Sequence, residues 1–158
     1  MNAEIITVGT ELLLGDILNS NSQFLSRELA AYGIQLLYQS TVGDNTSRLE
    51  QVLSVAMGRS DLVIITGGLG PTPDDLTRET VSEALSLPLE LHEESLRRIE
   101  EYFTNTGKEM TENNRKQAML PKGSTVFPND HGTAPGCAVE RYGQAIIMLP
   151  GPPRELIP

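Results

Sequence analysis

Two adjacent aspartates follow a glycine-rich loop in the stretch TGGLGPTPDDLT, residues 66–77. Gly67, Gly68 and Gly70 carry no Cβ atom, so their backbone N–H groups can approach the oxygens of an anion closely. The aspartates would repel a phosphate in this loop unless a divalent cation lay between the like charges. The stretch therefore predicts metal-assisted chemistry at a phosphoryl or pyrophosphoryl group.

A plainer interpretation of the same loop is a tight strand-to-helix turn in which Asp74 or Asp75 caps the following helix. The loop has no Lys-Ser/Thr pair of a Walker loop, and it does not match GxGxxG. Neighbouring helical residues point about 100° apart, so we expect one aspartate to face the ligand and the other to cap the helix. Asp44 and Glu11 follow two other predicted strands, and these additional carboxylates favour the metal site.

The elements that must position these residues alternate between strand and helix along the first half of the chain. Short β-branched runs predict strands, and apolar residues at helical spacing predict helices. This alternation predicts an α/β fold, a mostly parallel sheet between two helical layers. Ligands bind beyond the C-terminal strand ends of such sheets, where the candidate residues lie. The expected strands are 4–8, 34–43 and 61–66, and the expected helices are 21–32, one from Asn45 or Thr46, and one near 75–86.

The segment between the first strand and helix, GTELLLGDILN, is predicted to be a loop, with Asn19 or Ser20 capping the helix. Tyr142-Gly143 is expected to form a hairpin turn. Later elements are predicted as helices at 91–107 and near 112–119, and as strands at 124–128, 137–141 and 144–150.

The chain ends shortly after Pro152 and Pro153, which are expected to start a helix. Because barely one helical turn follows, we interpret residues 1–158 as a single domain and as a fragment of a longer protein.

The 158 residues carry a net charge of -9, which would repel a nucleic-acid backbone. No apolar run approaches the roughly 18 residues that a membrane span needs, so no membrane association is expected. The single cysteine, Cys137, excludes an internal disulfide and favours a cytoplasmic location. Cys137 has no evident histidine partner and is expected to be a buried small hydrophobic residue.

The TGGLGPTPDDLT loop and the VGDN segment upstream resemble the MoaB/MogA-like molybdopterin-binding domain family, whose signature is TGG-x-G followed by Asp-x-Thr. Three further matches narrow the resemblance: VGTELLLGDILNSN at 8–21, GTAPG at 132–136 and LPGPPRE at 149–155. Together the four motifs resemble the N-terminal domain of the CinA, or competence/damage-inducible, family along nearly the whole chain. The resemblance implies the three-layer α/β/α molybdopterin-binding fold.

The resemblance also implies an activity, the metal-dependent hydrolysis of ADP-ribose to AMP and ribose 5-phosphate. The catalytic candidates are Asp44 and Asp75, which with Asp74 are also the candidate metal ligands. The expected cofactor is a divalent cation of the Mg²⁺ or Co²⁺ class, with K⁺ as a further candidate. The candidates for phosphate or nucleotide binding are Thr10, Glu11, Thr66, Gly67, Gly68, Gly70, Thr72, Gly132, Thr133, Gly136, Pro150 and Gly151.

Two other functions use the same residues and stay open at this point. One is adenylyl transfer to molybdopterin, and the other is a non-catalytic nucleotide-binding module. A small nucleotide is the expected ligand, and relatives in the family imply a homo-oligomer, either a dimer or a trimer. Many CinA proteins also carry a C-terminal amidase domain, which is not in this sequence.

Several polar residues outside the main motifs are weaker candidates. His131 lies in a polar loop beside GTAPG and is expected to be solvated, although it could act as an acid or base. His92 is expected to begin a helix and to be exposed. Asn19 and Asn21 are expected to be helix caps.

Overall fold

A six-stranded sheet organises the chain, and the computed structural model describes all residues, Met1–Pro158. The first half contains β1 (Asn2–Val8), α1 (Thr10–Leu14), α2 (Ser20–Ala31), β2 (Gln35–Val42), α3 (Thr46–Met57), β3 (Leu62–Thr66) and α4 (Thr77–Ala84). The second half contains β4 (Leu89–Leu91), α5 (Glu93–Thr106), α6 (Glu112–Lys116), β5 (Met119–Pro121), β6 (Thr125–Phe127), β7 (Gly136–Arg141), β8 (Gln144–Leu149) and α7 (Pro153–Leu156).

The sheet has the strand order β2-β1-β3-β8-β7-β6. The first four strands are parallel to one another, and β7 and β6 add an antiparallel edge. The expected α/β fold with a mostly parallel sheet is therefore confirmed. The hairpin between β7 and β8 is also confirmed, since Tyr142 and Gly143 have φ angles of 53° and 78°, as a type I′ turn requires.

Alternate residues of the central strands enter different cores. On β1, Ile6 and Val8 pack with α3 and α4 on one face, while Ala3 and Ile5 pack with α2 on the other. This period of two produces the three-layer arrangement, because each face of the sheet is apolar and must be covered. No helix of the chain combines the length and apolarity that crossing a membrane requires.

Three expectations from the sequence are wrong in detail. Residues 10–14 form the short helix α1 and not a loop, and Asp44 binds the N-terminal turn of this helix from another loop. A small antiparallel sheet of β4 and β5 was not predicted. The helices expected near 75–86 and 112–119 are shorter, since they span Thr77–Ala84 and Glu112–Lys116.

Other boundaries agree closely with the sequence. Asn19 caps α2 and Asn45 caps α3, each accepting a backbone N–H in its first turn with the side-chain oxygen. Asn21, by contrast, is not a cap and lies within α2. His92 caps α5 and is half-buried, which corrects the expectation that it is exposed.

Candidate active site

A cavity of about 570 Å³ lies at the C-terminal ends of β1, β2 and β3 and beside the turn after β8. Most of the predicted site residues line this cavity. The predicted residues on its wall are Glu11, Asp44, Thr66, Gly67, Gly68, Gly70, Thr72, Asp74, Asp75 and Gly151. Two others support the wall, since the Thr10 hydroxyl donates to Asp44 and the Pro150 carbonyl accepts from Thr66.

The glycine loop after β3 has a backbone that other residues could not follow. Gly67 and Gly68 have φ angles of 100° and 68°, in the left-handed region. A Cβ atom at Gly67 would overlap the carbonyl oxygen of Val8, and one at Gly68 would overlap the hydroxyl of Thr77. Leu69, between the glycines and the end of the loop, is buried in the main hydrophobic core and fixes the loop to it.

Three consecutive carbonyl groups of this loop point towards α4. The Gly67 carbonyl accepts from the Thr77 hydroxyl at 2.8 Å, and the Gly68 carbonyl accepts from the Thr77 N–H at 3.1 Å. The Leu69 carbonyl accepts from the Arg78 guanidinium at 3.0 Å. In a trans peptide the N–H group points away from the preceding carbonyl. The N–H groups that follow these carbonyls therefore point away from α4.

These N–H groups belong to Gly68, Leu69 and Gly70, and none of them donates to a backbone carbonyl. Their residues line the cavity. Three successive free N–H groups that face one concave space are a site for an anion, because each of them is a strong donor with no other partner. The phosphate cradle expected from the glycines is thus present as a geometry.

Asp75 is held beside this cradle by the loop itself. Its Oδ2 accepts from the Thr72 N–H at 2.9 Å and from the Thr72 hydroxyl at 2.6 Å. The N-cap of α4 is Leu76, and no side chain caps this helix. The expectation that Asp74 or Asp75 caps the helix is therefore wrong, because Thr72 binds Asp75 and Asp74 stays exposed on the cavity wall.

Asp44 occupies the opposite wall and is held in the same manner. Its Oδ2 accepts from the Thr10 N–H at 2.9 Å and from the Thr10 hydroxyl at 2.8 Å. In both pairs a threonine supplies two donors to one carboxylate oxygen. The other oxygen of each carboxylate, Oδ1, accepts no hydrogen bond within the protein and is free for a ligand.

The carboxylates of the cavity do not form a complete metal site on their own. No group of three or more His, Cys, Asp or Glu side chains lies close enough together to hold a metal ion. Mg²⁺ commonly takes only one or two carboxylates and completes its oxygen shell with water and substrate phosphates. The oxygens of Asp44 and Asp75 therefore fit a cation that is shared with a bound phosphate.

Asn21 is a cavity residue that was not among the predicted site residues. Its Nδ2 donates to the Thr66 hydroxyl at 2.9 Å and to the Gly151 carbonyl at 2.7 Å, so it joins the end of β3 to the turn after β8. A signal for its burial is present in the sequence. Asn21 shares the inward stripe of α2 with Leu25 and Leu29, at a spacing of four residues, and all three are buried.

The GTAPG motif does not join the cavity. Gly132 and Thr133 line a second cavity of about 390 Å³ beside α5, and Gly136 is buried at the start of β7. The structure therefore separates these three predicted nucleotide-binding residues from the others. Gly132 packs against Glu155 of α7, whose carboxylate accepts from Asn129 at 2.8 Å.

The remaining candidates play no part in the first cavity. His131 is exposed in its loop, as expected. Cys137 is fully buried in the main core, which confirms the expectation for this residue. Burial raises the pKa of the Cys137 thiol to about 11, so the thiol stays protonated and is a poor nucleophile at neutral pH.

Comparison with protein families places residues 4–158 in the family described as "Probable molybdopterin binding domain". A CinA-like protein of Dictyoglomus turgidum is 58% identical over all 158 residues. A protein of Bacillus thuringiensis, provisionally named a competence-damage inducible protein, is 56% identical over the same length. The chain spans 38% of the length of each of these two relatives.

Solved structures agree with the sequence relatives. The crystal structure of CinA from Thermoplasma acidophilum, a protein described as of unknown function, is 34% identical and superposes with a TM-score of 0.91. The match covers 99% of this chain and 93% of that one. The molybdopterin biosynthesis enzyme MoaB of Thermus thermophilus is 21% identical, with a TM-score of 0.64 over 99% of this chain and 86% of that one, and it shows the shared fold. The chain therefore belongs to the molybdopterin-binding domain family and, within that family, to the CinA group.

Proposed function

We propose that this domain is a metal-dependent nucleotide pyrophosphatase that hydrolyses ADP-ribose to AMP and ribose 5-phosphate. The observation that carries the proposal is one cavity with three free N–H groups between two held carboxylates. The N–H groups of Gly68, Leu69 and Gly70 suit a phosphate, and Asp44 and Asp75 suit a cation that offsets its charge. The cavity volume of about 570 Å³ is of the size that small-molecule ligands occupy.

In the proposed reaction a water oxygen attacks one phosphorus atom of the diphosphate, and the bridging P–O bond breaks. One water is consumed, and the two products each carry one phosphate. The loop N–H groups are oriented to donate to the phosphoryl oxygens as negative charge builds on them. A divalent cation bound by Asp44 and Asp75, with Asp74 or Glu11 nearby, would neutralise that charge and lower the pKa of the attacking water.

The resemblance that implies ADP-ribose also implies the surroundings of the reaction. The proposal therefore includes a small nucleotide substrate, K⁺ as a further cation, and a homo-oligomer. A C-terminal amidase domain in the full protein belongs to the same proposal, and the length of the relatives leaves room for one.

A second candidate function is adenylyl transfer to molybdopterin. The family description and the shared fold of the solved MoaB structure favour it. The same cradle and the same aspartates would serve this reaction. The two ligands differ in chemistry, because ADP-ribose carries a diphosphate and two riboses, while molybdopterin carries a monophosphate and a dithiolene.

The proposal is tested by product analysis. The domain is incubated with ADP-ribose and Mg²⁺ or Co²⁺, in Na⁺ or K⁺ buffer, and AMP is measured by chromatography. We expect AMP and ribose 5-phosphate in equal amounts, and no product after EDTA is added. Binding of ADP-ribose without AMP under any of these cations would instead indicate a nucleotide-binding module. If ADP-ribose does not bind while molybdopterin does, the second candidate replaces the first.

A further inference from the structure

Arg78 is the largest fully buried side chain of the protein, although it is also one of its few cations. It lies on α4, directly behind the glycine loop, and is 1% exposed. Burying a charged group costs several kcal/mol unless partners compensate it. The position of Arg78 therefore requires a physical explanation.

The first part of the explanation is the contact with the loop. One Nη atom of Arg78 donates to the Leu69 carbonyl at 3.0 Å, and the other is 3.5 Å from the Gly70 carbonyl. Gln117 also approaches the Leu69 carbonyl, at 3.5 Å. By holding this carbonyl, Arg78 turns the N–H group of Gly70 away from α4, to the side on which the cavity lies.

The second part is that Arg78 lacks a carboxylate partner. None of the ion pairs in the structure includes Arg78. Its neighbour Glu79 pairs with Lys116 at 3.0 Å instead. Burial lowers the pKa of the Arg78 guanidinium, but an arginine keeps its proton at neutral pH. A full positive charge thus remains behind the loop, offset in the ligand-free protein mainly by backbone carbonyls.

We propose that Arg78 is the buried counter-charge of the anion site, a positioning residue that selects ligands with several negative charges at the glycine loop. The diphosphate of a nucleotide has this chemistry, whereas a monophosphate carries less charge. Arg78 does not line the cavity, so it acts through the loop peptides and through its field. The inference concerns the site of the proposed function and rests on it for the identity of the ligand.

The test compares the binding of inorganic pyrophosphate and inorganic phosphate by calorimetry, in the presence of Mg²⁺. Coulomb energy scales with ligand charge, so Arg78→Met should weaken pyrophosphate more than phosphate. We expect on the order of a tenfold loss for pyrophosphate, the usual size for a bond to a charged group. Arg78→Lys keeps the charge and should keep the ratio of the two affinities.

Two control variants separate charge from structure. Gln117→Leu removes a neutral donor near the same carbonyl, and we expect it to weaken both anions by the same factor. Arg97→Met removes one positive charge from the exposed face of α5 and should change neither affinity. If Arg78→Met does not fold, Arg78→Lys and Gln117→Leu still give the comparison, since only the second lacks a charge-preserving design.

Equal affinity ratios in Arg78→Met and the wild type would overturn the inference, as would a lost ratio in Arg78→Lys. A wild-type protein that binds no pyrophosphate would overturn it too. The outcome is distinct from that of the proposed function. If the wild type binds pyrophosphate through Arg78 but releases no AMP from ADP-ribose, the hydrolysis fails and the inference stands. If AMP is released and Arg78→Met binds both anions normally, the inference fails and the hydrolysis stands.

Discussion

Glu4 on β1 and Arg78 on α4 are both removed from solvent, but only Glu4 has an oppositely charged partner. Both oxygens of the Glu4 carboxylate accept from Arg59 at 2.9 Å, and Arg59 also lies over the ring of Tyr38 at 3.5 Å from its centroid. This pair stands near the N-terminal end of the sheet. Arg78 stands beside the C-terminal end, where no carboxylate completes an ion pair with it.

The difference extends to the groups around each charge. Near Glu4 the polar atoms satisfy one another, since Asn2 and Asp61 exchange two backbone-to-side-chain hydrogen bonds at 2.8 Å. At the other end, the N–H groups of three loop residues have no backbone acceptor, and the buried Oδ1 of Asn21 has no partner. One end of the sheet uses its polar groups to hold the fold. The other leaves hydrogen-bonding capacity for a ligand, as expected at the C-terminal ends of parallel strands.

The largest effect is expected from Asp75→Asn, which removes a charge from the open end. We expect turnover of ADP-ribose to fall at least about a hundredfold, because a bound cation supplies several kcal/mol of charge stabilisation. The fold should persist, since asparagine can still accept from Thr72. Asp61→Asn is the matched control at the closed end, and its turnover should equal that of the wild type. Equal turnover in both variants would remove Asp75 from the site.

Gly68→Ala should separate backbone strain from ligand binding. At Gly68 a Cβ atom would overlap the Thr77 hydroxyl that holds the loop, so we expect ADP-ribose affinity to fall on the order of tenfold or more. Gly33 has a similar φ of 71° with nothing near its Cβ position, so Gly33→Ala should cost only about 1 kcal/mol of stability. Its affinity for ADP-ribose should be unchanged. Titration and denaturation of both variants check this, and equal affinity losses would refute a special role for the loop.

Glu4→Gln tests the closed end by stability alone. We expect the melting temperature to fall by roughly 5 °C, because charge-assisted bonds to Arg59 are replaced by neutral ones. Pyrophosphate affinity should stay at the wild-type value, since the pair lies far from the loop. Calorimetric melting and titration of the same sample give both quantities. A lowered affinity in Glu4→Gln would contradict the separation of the two ends.

The smallest effect concerns how far the Arg78 charge reaches into the core. Burial raises the pKa of Cys137, and the positive charge of Arg78 partly opposes this by favouring the thiolate. Removing that charge in Arg78→Met should therefore raise the pKa of Cys137 above its value of about 11. The pH dependence of alkylation by iodoacetamide in the folded protein measures the change. A pKa that stays the same or falls would place the Arg78 charge elsewhere.

The sequence predicts the repeating elements well, because β-branched runs and helical stripes are local patterns. It fails for α1, where five residues, TELLL, form a helix whose first turn is bound by Asp44 from another loop. It also fails for β4 and β5, which are three residues each and pair across a long interval. Such elements depend on contacts between distant segments, which no short window of sequence contains.

The candidate site follows the same rule. The strand-end rule brings Asp44, Asp75 and the glycines together, and the structure confirms that they share one cavity. It cannot place GTAPG, whose residues lie beside α5. The burial of Arg78 does leave a trace, since it shares a helical stripe with Val81 and Leu85, both fully buried. A charged residue on an apolar stripe is the signal that would have identified it.

The central claim is that the N–H groups of Gly68, Leu69 and Gly70 hold the diphosphate of a nucleotide. The most direct measurement follows the backbone amide signals of the ¹⁵N-labelled domain by NMR while ADP-ribose is added with Mg²⁺. We predict that these three signals move most and saturate together, while those around Glu4 stay in place. If the three signals do not move while ADP-ribose binds, or if the largest changes lie around Gly132 and Thr133, the account is contradicted.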